Sequence, residues 1–471
     1  MPPKKPTLKP LSTQMAVHDT SLVDLLNNLA RPSFDIPFIL LLLLLESALT
    51  PLIVTRVPYT EINWVAYMQE VLTYENGERD YINIRGDTGP LVYPAGFLYL
   101  YSLFKRLVSN YGGEPTSPEA IYTMQWVFFG LYLVNCALVL VMFQTVLKIT
   151  RQQYQKMNNS QPSMLVWAWR VAMCITCLSK RIHSIFVLRL FNDAPAMLLL
   201  HLSMYLFACC DAWALGCVVF SLAVSIKMNV LLFAPGLLLL LLQRNGSLVG
   251  TIRHLSICAI VQIILGWPFL STYPISYIKK AFEFDRVFFH QWTVNWKCLS
   301  EELFVSKKWA LVLLLCHLGM LGLLAQKWWT ESVAQRGIAA TREWMSWTIS
   351  NKHSSLKLSP EYIMYTMFVS NFVGIAFART LHYQFYSWYF YSLPMLHWIA
   401  TIGTSYQSKD VVISLIMSTI SIAGVEFAFN VYPATWLSSL VLQVSHGFLL
   451  IKIYTSNIPR IEDSDKSIKS K

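Results

Sequence analysis

Several carboxylates lie in one polar stretch, residues 56–96, which separates two strongly apolar parts of the chain. The stretch reads RVPYTEINWVAYMQEVLTYENGERDYINIRGDTGPLVYPAG, and its acids include Glu61, Glu70, Asp80 and Asp87. An apolar run over residues 36–54 ends directly in it, so the stretch leaves the membrane at one face. A carboxylate held there beside aromatic and Gly-Pro residues can take a proton from a hydroxyl group, and we interpret the stretch as part of a reaction site.

Later loops bring basic residues, amides and aromatic rings to the same predicted side of the membrane. Their sequences are KRIHSIFVLRLFND (residues 180–193), SIKMN (225–229), FEFDRVFFHQWTVNWKCLSEE (282–302) and ARTLHYQFYSWYFY (378–391). Several ionisable residues of these loops lie at or inside predicted spans, namely Arg181, Arg189, Asp193, Lys227 and Arg379. Because charge at membrane depth is costly, these residues should face one another or a polar cavity. Their convergence predicts an anionic ligand at this face.

This combination of residues suits the transfer of a group from a lipid phosphate. Cations would neutralise the charge that develops on the phosphate, aromatic rings would stack on sugars, and a carboxylate would accept a proton from the acceptor hydroxyl. The sequence calls for no metal and no other cofactor. Its Asp-x-Asp pair, Asp463 and Asp465, lies in the C-terminal tail, and it has neither a Walker loop nor a Cys/His cluster with zinc spacing.

Each of these residues also has a purely structural interpretation. Arg189 and Asp193 are spaced like neighbours on one helix face and could form a buried ion pair, which fits the sequence as well as a ligand role does. Histidines taken singly, such as His183 and His382, are more often structural than catalytic. Tryptophans such as Trp292 could belong to an interfacial aromatic belt. The functional interpretation depends on the sum of these residues on one face.

The elements that must position these residues are membrane helices. The chain is 55% hydrophobic and 13% charged, whereas soluble domains are about 25% charged. Recurrent apolar runs predict an all-α polytopic membrane protein with about 12 transmembrane helices. Their ranges are 36–55, 121–147, 164–178, 190–209, 212–226, 230–242, 255–270, 309–326, 362–378, 385–401, 411–429 and 436–454. A further segment, 91–108, is rich in Tyr and Phe and is predicted to lie in the membrane interface.

The distribution of basic residues predicts the orientation. Lysines and an arginine precede the first helix, which places its start in the cytosol. We therefore predict a disordered cytosolic tail over residues 1–35, one transmembrane domain over 36–455 with a catalytic first extracytoplasmic loop over 56–120, and a cytosolic tail over 456–471. Both termini then face the cytosol. The net charge of +11 is spread between apolar segments and forms no continuous face for nucleic acid.

Six strings of the sequence together resemble one enzyme family: YTEINWVAYMQEV, GDTGPLVYPAG, RIHSIFVLRLFND, SIKMNVLLFAPG, HQWTVNWK and RTLHYQFYSWYF. Over about residues 56–433 the chain is similar to the dolichyl-phosphate-mannose-dependent α-1,3-mannosyltransferases of the endoplasmic reticulum. The resemblance implies a GT-C type glycosyltransferase in the endoplasmic-reticulum membrane, with a lumenal active site and lumenal interfacial helices. It implies an inverting step of N-glycan precursor assembly. The donor would be dolichyl phosphate mannose and the acceptor a five-mannose dolichyl-pyrophosphate oligosaccharide, with membrane lipids as further partners.

The resemblance also implies residue roles. Family members resemble Thr-Glu-Ile-Asp-Trp where this chain has Thr60 to Trp64, so Asn63 stands where an Asp is expected to act as general base. An amide cannot accept that proton at neutral pH. Either Glu61 or Asp87 substitutes, the chain is weakly active or inactive, or the Asp was deliberately replaced. Phosphate or pyrophosphate contact is implied for Arg181, His183, Arg189, Lys227, Arg379 and His382, and sugar contact for Trp292, Asn295, Trp296, Tyr383 and Gln384.

Two other functions stay open at the level of the sequence. A transporter or lipid flippase would also carry charged residues at membrane depth, although it usually has internal duplication or paired Gly/Pro-broken spans, and neither is clear here. A catalytically silent homologue is the second, because of Asn63. Donor-dependent mannose transfer by the purified protein would separate the enzyme from both.

Overall fold

The structure is a computed structural model that describes residues 22–110, 113–158, 163–245, 247–283, 289–334, 357–402 and 408–457. In these residues the chain is predominantly helical, and the predicted all-α class is confirmed. One small hairpin occurs, in which strand β1 (Arg85–Gly86) pairs antiparallel with strand β2 (Gly89–Pro90). The predicted N-terminal tail up to residue 21 and the C-terminal tail from residue 458 lie outside the described residues.

The described helices follow one another along the chain with short connections. They are α1 (Leu22–Leu29), α2 (Asp35–Arg56), α3 (Trp64–Glu75), α4 (Ala95–Ser109), α5 (Pro118–Asn158), α6 (Ser163–Ile175), α7 (Lys180–His183), α8 (Asp193–Ala208), α9 (Trp213–Ile226), α10 (Ala234–Asn245), α11 (Leu248–Leu270), α12 (Pro274–Ala281), α13 (Glu301–Val305), α14 (Lys307–Ala334), α15 (Pro360–Ala376), α16 (Ser392–His397), α17 (Ser408–Asn430) and α18 (Trp436–Thr455). Short 3-10 helices cover Pro32–Phe34, Met228–Phe233, His290–Trp292 and Tyr383–Trp388, and π-helices cover Ser184–Leu188 and Trp398–Ile402.

Eight helical stretches of the described chain are long and apolar enough to cross a membrane, as expected of a multi-pass membrane protein. They are Pro32–Arg56, Pro118–Lys156, Ser163–Leu188, Met228–Asn245, Leu248–Leu270, Lys307–Trp329, Asp410–Asn430 and Trp436–Thr455. The predicted count of about 12 is not confirmed. Helices α8, α9 and α15 have only 16, 14 and 17 residues, which is shorter than the roughly 20 that a straight span needs. The segment predicted to span over 385–401 is broken into 3-10, α and π turns.

Helix α15 forms the centre of the bundle. Every residue from Glu361 to Ala376 is buried, and the helix packs against α5, α8, α10, α14, α16 and α18. Its polar side chains serve the packing: Ser370 Oγ donates to Leu232 O at 2.9 Å, and Asn371 Nδ2 donates to Trp388 O at 2.9 Å. Helices α11 and α14, by contrast, have most of their surface exposed, so these surfaces are available to lipid.

The polar stretch near residue 60 folds into α3, the hairpin and α4. Helix α3 packs against β1 and α4, and α4 packs against α9. Two glycines permit this packing: a Cβ on Gly86 would lie 2.5 Å from Ala66 O, and a Cβ on Gly96 would overlap Ser225 Oγ. The close approach at Gly96 fixes the start of α4 beside the end of α9. Helix α4, with 15 residues, extends about 22 Å, which is less than the bilayer core.

A buried ionic cluster ties the first helices together at Asp35. This carboxylate accepts from Arg151 of α5 at 2.6 and 3.1 Å and from Arg170 of α6 at 3.3 Å. It also accepts from Gln144 Nε2 at 2.9 Å. We call Arg151 and Arg170 the closed arginine pair, since they share this carboxylate. Asp35 is the last residue of the N-terminal tail that the sequence predicts over residues 1–35. Helix α1 lies within the same range.

Candidate active site

Asn63 is the N-cap residue of helix α3 and contacts Tyr67, which pairs with Tyr93. Its side-chain Nδ2 donates to Tyr67 Oη at 3.3 Å, and Tyr67 Oη lies 3.4 Å from Tyr93 Oη. The Tyr67 ring is buried edge-on against Phe97 and Tyr101, with ring centroids 5.0 and 4.9 Å away. Burial raises the pKa of Tyr67, so its hydroxyl stays protonated. The position where a base is expected is therefore joined to two hydroxyl groups.

The two carboxylates that could replace a base at position 63 are both exposed and hydrogen-bonded within the same stretch. Glu61 accepts from the Tyr59 hydroxyl and from Val65 N at 3.3 Å. Burial, and next the hydrogen bond and charge of Glu61, raise the pKa of Tyr59. Asp87 accepts from Gln69 Nε2 at 2.8 Å, and its own backbone N–H donates to Gln69 Oε1 at 2.7 Å. Both carboxylates can reach solvent from these positions.

Lys227 lies directly after α9 in a cage of acid and aromatic groups. Its Nζ donates to Asp193 Oδ2 at 2.6 Å and to Asn192 Oδ1 at 3.0 Å. The ammonium lies 5.7 Å from the ring centroids of both Tyr93 and Trp388, and Trp388 Nε1 also donates to Asp193. Because Tyr93 takes part in both groups, this ion pair adjoins the tyrosine pair at the start of α3.

Arg181 and Arg189 lie at the two ends of the segment formed by α7 and the π-helix that follows it. Neither guanidinium has a hydrogen-bond or ion-pair partner among the residues that the structure describes. Arg181 lies over the Tyr383 ring, with Cζ 5.3 Å from its centroid, and is close enough to Arg189 for the two charges to interact. The Arg189–Asp193 ion pair considered above does not form, because Asp193 pairs with Lys227. We call Arg181 and Arg189 the open arginine pair. This arrangement suits a phosphate, because each guanidinium can donate two parallel hydrogen bonds to its oxygens.

His183 shares the short helix α7 with Arg181 but lies inside the bundle. Its Nε2 is 2.8 Å from Glu46 Oε2, and its Nδ1 is 2.8 Å from Ser179 O. Tyr132 Oη donates to the same Glu46 oxygen at 3.0 Å. Since both ring nitrogens contact protein groups, the structure places His183 as an anchor of α7 on α2 and α5.

Asn295 and Trp296 lie in a loop that is fastened to the segment after α15. Asn295 Nδ2 and Trp296 Nε1 both donate to Ala378 O at 2.9 Å, and Asn295 Oδ1 accepts from Leu381 N at 2.8 Å. The main-chain oxygen of Asn295 accepts from Gln443 Nε2 at 2.8 Å. Asn295 is buried, so in this structure its amide orders the loop.

Of the remaining candidates, Arg379, His382 and Gln384 lie along the same segment, and Trp292 lies in the 3-10 helix His290–Trp292. Arg379 Nη2 donates to Val305 O at 2.9 Å. His382 precedes the 3-10 helix Tyr383–Trp388, and its ring contacts Tyr383. Gln384 is half-buried in that 3-10 helix. Trp292 is 39% exposed and stacks on Tyr432, whose ring contacts Tyr383 edge-on.

Two elements connect these groups. The segment 181–193 begins with Arg181, carries Arg189 after the π-helix and ends with Asp193. The 3-10 helix Tyr383–Trp388 places Tyr383 under Arg181 and Trp388 on Asp193. The open arginine pair and the Lys227 ion pair therefore belong to one region, whereas His183, Asn295 and Trp296 lie in structural contacts beside it.

Sequence reasoning missed Glu46, Glu426 and Tyr93. Glu426 accepts from Ser179 Oγ and from Tyr386 Oη. Each of the two glutamates is the single acid of its predicted span, over 36–55 and 411–429, and an isolated carboxylate in an apolar run is the signal that could have found them. Nothing in the spacing of the sequence distinguishes Tyr93.

Glu70, another acid of the first stretch, lies inside α3 and away from solvent. It is 3% exposed, and its Oε2 has no hydrogen-bond partner in the described part of the chain. Burial raises its pKa to about 8, so the carboxyl is mostly protonated at neutral pH. An acid that holds its proton cannot serve as a base there.

Comparison with known proteins covers nearly the whole chain. A family model described as ALG3 protein matches residues 40–439. A relative from Arabidopsis thaliana is 45% identical over 425 residues, which cover 89% of this chain and 88% of the relative. A relative from Homo sapiens is 39% identical over 443 residues, covering 94% and 92%, and one from Mus musculus is 40% identical over 430 residues, covering 91% and 89%. All three are named Dol-P-Man:Man(5)GlcNAc(2)-PP-Dol alpha-1,3-mannosyltransferase. The matched residues include every candidate site residue.

Proposed function

Because the chain belongs to the ALG3 protein family, we propose that it transfers mannose from dolichyl phosphate mannose, in α-1,3 linkage, to the five-mannose dolichyl-pyrophosphate oligosaccharide. Donor, acceptor and linkage come from the names of its relatives. The structural observation that best supports the proposal is the open arginine pair, since two guanidiniums that have no ion-pair partner in the described part of the chain, beside an aromatic ring, suit a sugar-bearing lipid phosphate.

The reaction needs three kinds of contact. An acceptor hydroxyl oxygen attacks the anomeric carbon of the donor mannose from the face opposite the phosphate, and the bond from that carbon to the phosphate oxygen breaks. Its electron pair stays on the dolichyl phosphate, where Arg181 and Arg189 stabilise the added charge. The Tyr383 ring lies against Arg181, and Trp292 is connected to it through Tyr432; both rings suit sugar contact. The hydroxyl proton passes to a base.

The identity of that base is tested at position 63. Asn63 has no proton-accepting oxygen of carboxylate strength, and a positioned general base contributes about 10²–10⁴-fold. We expect Asn63→Asp to raise the rate of mannose transfer by at least about 100-fold, with a carboxylate at the head of the Tyr67–Tyr93 pair. Glu61→Gln and Asp87→Asn, each made in the original chain, are the matched variants. An unchanged rate in Asn63→Asp, together with loss of activity in one of the other two, would assign the base to that residue.

We place the enzyme in the endoplasmic-reticulum membrane, with both termini in the cytosol and the stretch around Asn63 in the lumen. The basic residues before α2 support this orientation. Glycosylation sequons inserted after residue 86 and within residues 458–471 test it in microsomes. Modification of the first insert alone agrees with the proposal, and the reverse pattern contradicts it.

Mannose transfer by the purified full-length protein separates the enzyme from its rivals. Donor and acceptor in detergent should yield an acceptor with one added α-1,3-linked mannose, detectable by mass spectrometry and mannosidase digestion. Movement of labelled lipid across proteoliposomes without mannose transfer would favour a flippase. Absence of both activities, restored to transfer by Asn63→Asp, would favour an inactive homologue.

A further inference from the structure

Glu426 is a carboxylate near the end of the apolar helix α17. It accepts from Ser179 Oγ at 2.9 Å, from Tyr386 Oη at 2.6 Å and from Asn430 Nδ2 at 2.9 Å. None of the ion pairs formed within the described ranges includes it. An acid in a membrane helix without a cationic partner costs free energy, so its presence calls for a role.

The partners of Glu426 come from the two elements that build the candidate phosphate site. Ser179 is the N-cap of α7, where its Oγ also accepts from Ile182 N at 3.2 Å, and this helix carries Arg181. Tyr386 belongs to the 3-10 helix whose first residue, Tyr383, lies under Arg181. The Glu426 carboxylate therefore fixes the position of Arg181 relative to the Tyr383 ring.

Glu426 also acts on Arg181 through its charge. The titratable groups within its electrostatic reach are Arg181, His183, Tyr386 and Tyr389. It forms no ion pair with Arg181, so the guanidinium N–H groups stay available to a ligand. Two arginines and one carboxylate sum to a single positive charge, without any loss of hydrogen-bond donors.

Building on the function proposed above, we propose that Glu426 is a positioning residue that makes the open arginine pair release the spent dolichyl phosphate. The donor is a phosphodiester with one negative charge. When the bond to the sugar breaks, the electron pair stays on the phosphate, and the monoester carries about −1.5 to −2 at pH 7. A site of net charge +1 matches the donor and holds the product less tightly than a site of +2 would, which allows donor to replace product.

The test compares two probes that differ in charge. Purified full-length protein in nanodiscs is titrated with a short-chain isoprenyl phosphate monoester and with its methyl diester. In the unmodified protein we expect the two dissociation constants to agree within about threefold. In Glu426→Gln the monoester should bind about five- to tenfold more tightly relative to the diester, as expected for the loss of one nearby charge in a partly screened site. A strong preference for the monoester in the unmodified protein would overturn the proposal, even if the variant does not fold.

Tyr386→Phe is the matched control, because it removes a hydrogen bond to Glu426 and keeps the charge. We expect it to lower the melting temperature and to leave the ratio of the two dissociation constants unchanged. If it shifts the ratio as much as Glu426→Gln does, or if Glu426→Gln shifts nothing, the role of Glu426 is structural. Binding requires no turnover, so a lack of mannose transfer would refute the proposed function while the ratio still decides this proposal.

Discussion

The closed and open arginine pairs differ in whether the two arginines share a carboxylate. Arg151 and Arg170, the closed pair, share Asp35, which also accepts from Gln144, and all three charged residues are buried. Neither guanidinium of the open pair forms an ion pair within the described ranges. The closed pair joins α2, α5 and α6, whereas the open pair lies on a short segment with an aromatic ring below it.

The difference separates structural charge from charge kept for a ligand. Removing one partner of a buried ion pair leaves an uncompensated charge and is strongly destabilising. An open pair already bears that cost in the ligand-free protein, and a bound anion offsets it. The two pairs should therefore respond oppositely to substitution: the closed pair through stability, the open pair through donor binding.

The largest expected effect is on the closed pair. Asp35→Ala leaves two buried guanidiniums without a carboxylate and should lower the free energy of unfolding by about 3–5 kcal/mol, read as a large fall in melting temperature in detergent. Arg244→Ala is the matched control, since it removes a surface ion pair with Asp211 that contributes at most about 1 kcal/mol. Equal falls in the two variants would contradict the structural role of Asp35.

Substitution of an arginine of the open pair should change donor binding without lowering stability. Arg189→Ala should raise the KM for the donor by about 10- to 100-fold, because a hydrogen bond to a charged group contributes about 1.5–3 kcal/mol, and should leave the melting temperature unchanged or higher. Arg253→Ala, at an exposed arginine of α11, controls for loss of a cation. A lowered melting temperature with normal donor kinetics would place Arg189 with the closed pair.

A carboxylate placed beside the open pair should form an ion pair with it, as Asp35 does with the closed pair. Tyr383→Glu places an acid where the aromatic ring now lies against Arg181. We expect it to weaken binding of an isoprenyl phosphate about tenfold more than Tyr383→Gln does, since a competing carboxylate occupies the guanidinium. Both variants lose the hydrogen bond from Tyr383 Oη to Val431 O, so the difference between them isolates the charge. No difference would show that the ring, and not the open charge, serves the ligand.

The smallest expected effect concerns Glu70, an acid without a cation. Its pKa is raised to about 8 in the folded protein by burial, against about 4.3 in an unfolded chain. The stability that its protonation contributes is fully present below the unfolded pKa and is lost as the pH rises through about 8. The free energy of unfolding should thus fall between pH 6 and pH 8, with a slope of at most about 1.4 kcal/mol per pH unit, and level off above the folded pKa. The melting temperature reports this fall. Glu70→Gln should flatten this dependence, and a variant that follows the original pH profile would rule Glu70 out as its cause.

The fold class and the family follow from local features of the sequence. Long apolar runs predict helices wherever they occur, and the six motif strings carry the resemblance that the family match over residues 40–439 confirms. The number of spans does not follow in the same way. Residues 385–401 form a run of apolar and aromatic residues as long as many spans, but in the structure they are buried by protein and interrupted by π and 3-10 turns, whereas α11 is one continuous, exposed helix.

The partners of the site residues were less accessible to sequence reasoning. The sequence analysis assigns phosphate contact to Arg181 and Arg189, and the structure brings the two together. His183, which lies between them in the sequence, contacts Glu46 of α2 instead. Asn295 was selected for sugar contact, and in the structure its amide holds the main chain near Ala378. Each outcome depends on a residue far away in the chain, and one sequence alone does not show which distant side chains meet.

Helix α15 is synthesised after several of the helices that it packs against. It fills the middle of the bundle, yet it is preceded by α5, α8 and α10 and followed by α16 and α18, all of which it touches. At about 5–20 residues per second, the ribosome takes on the order of ten seconds to travel from the end of α10 to the start of α15. During that interval the faces of α5, α8 and α10 that pack against α15 have not yet met it. We therefore expect the nascent chain to be most exposed to degradation in this interval.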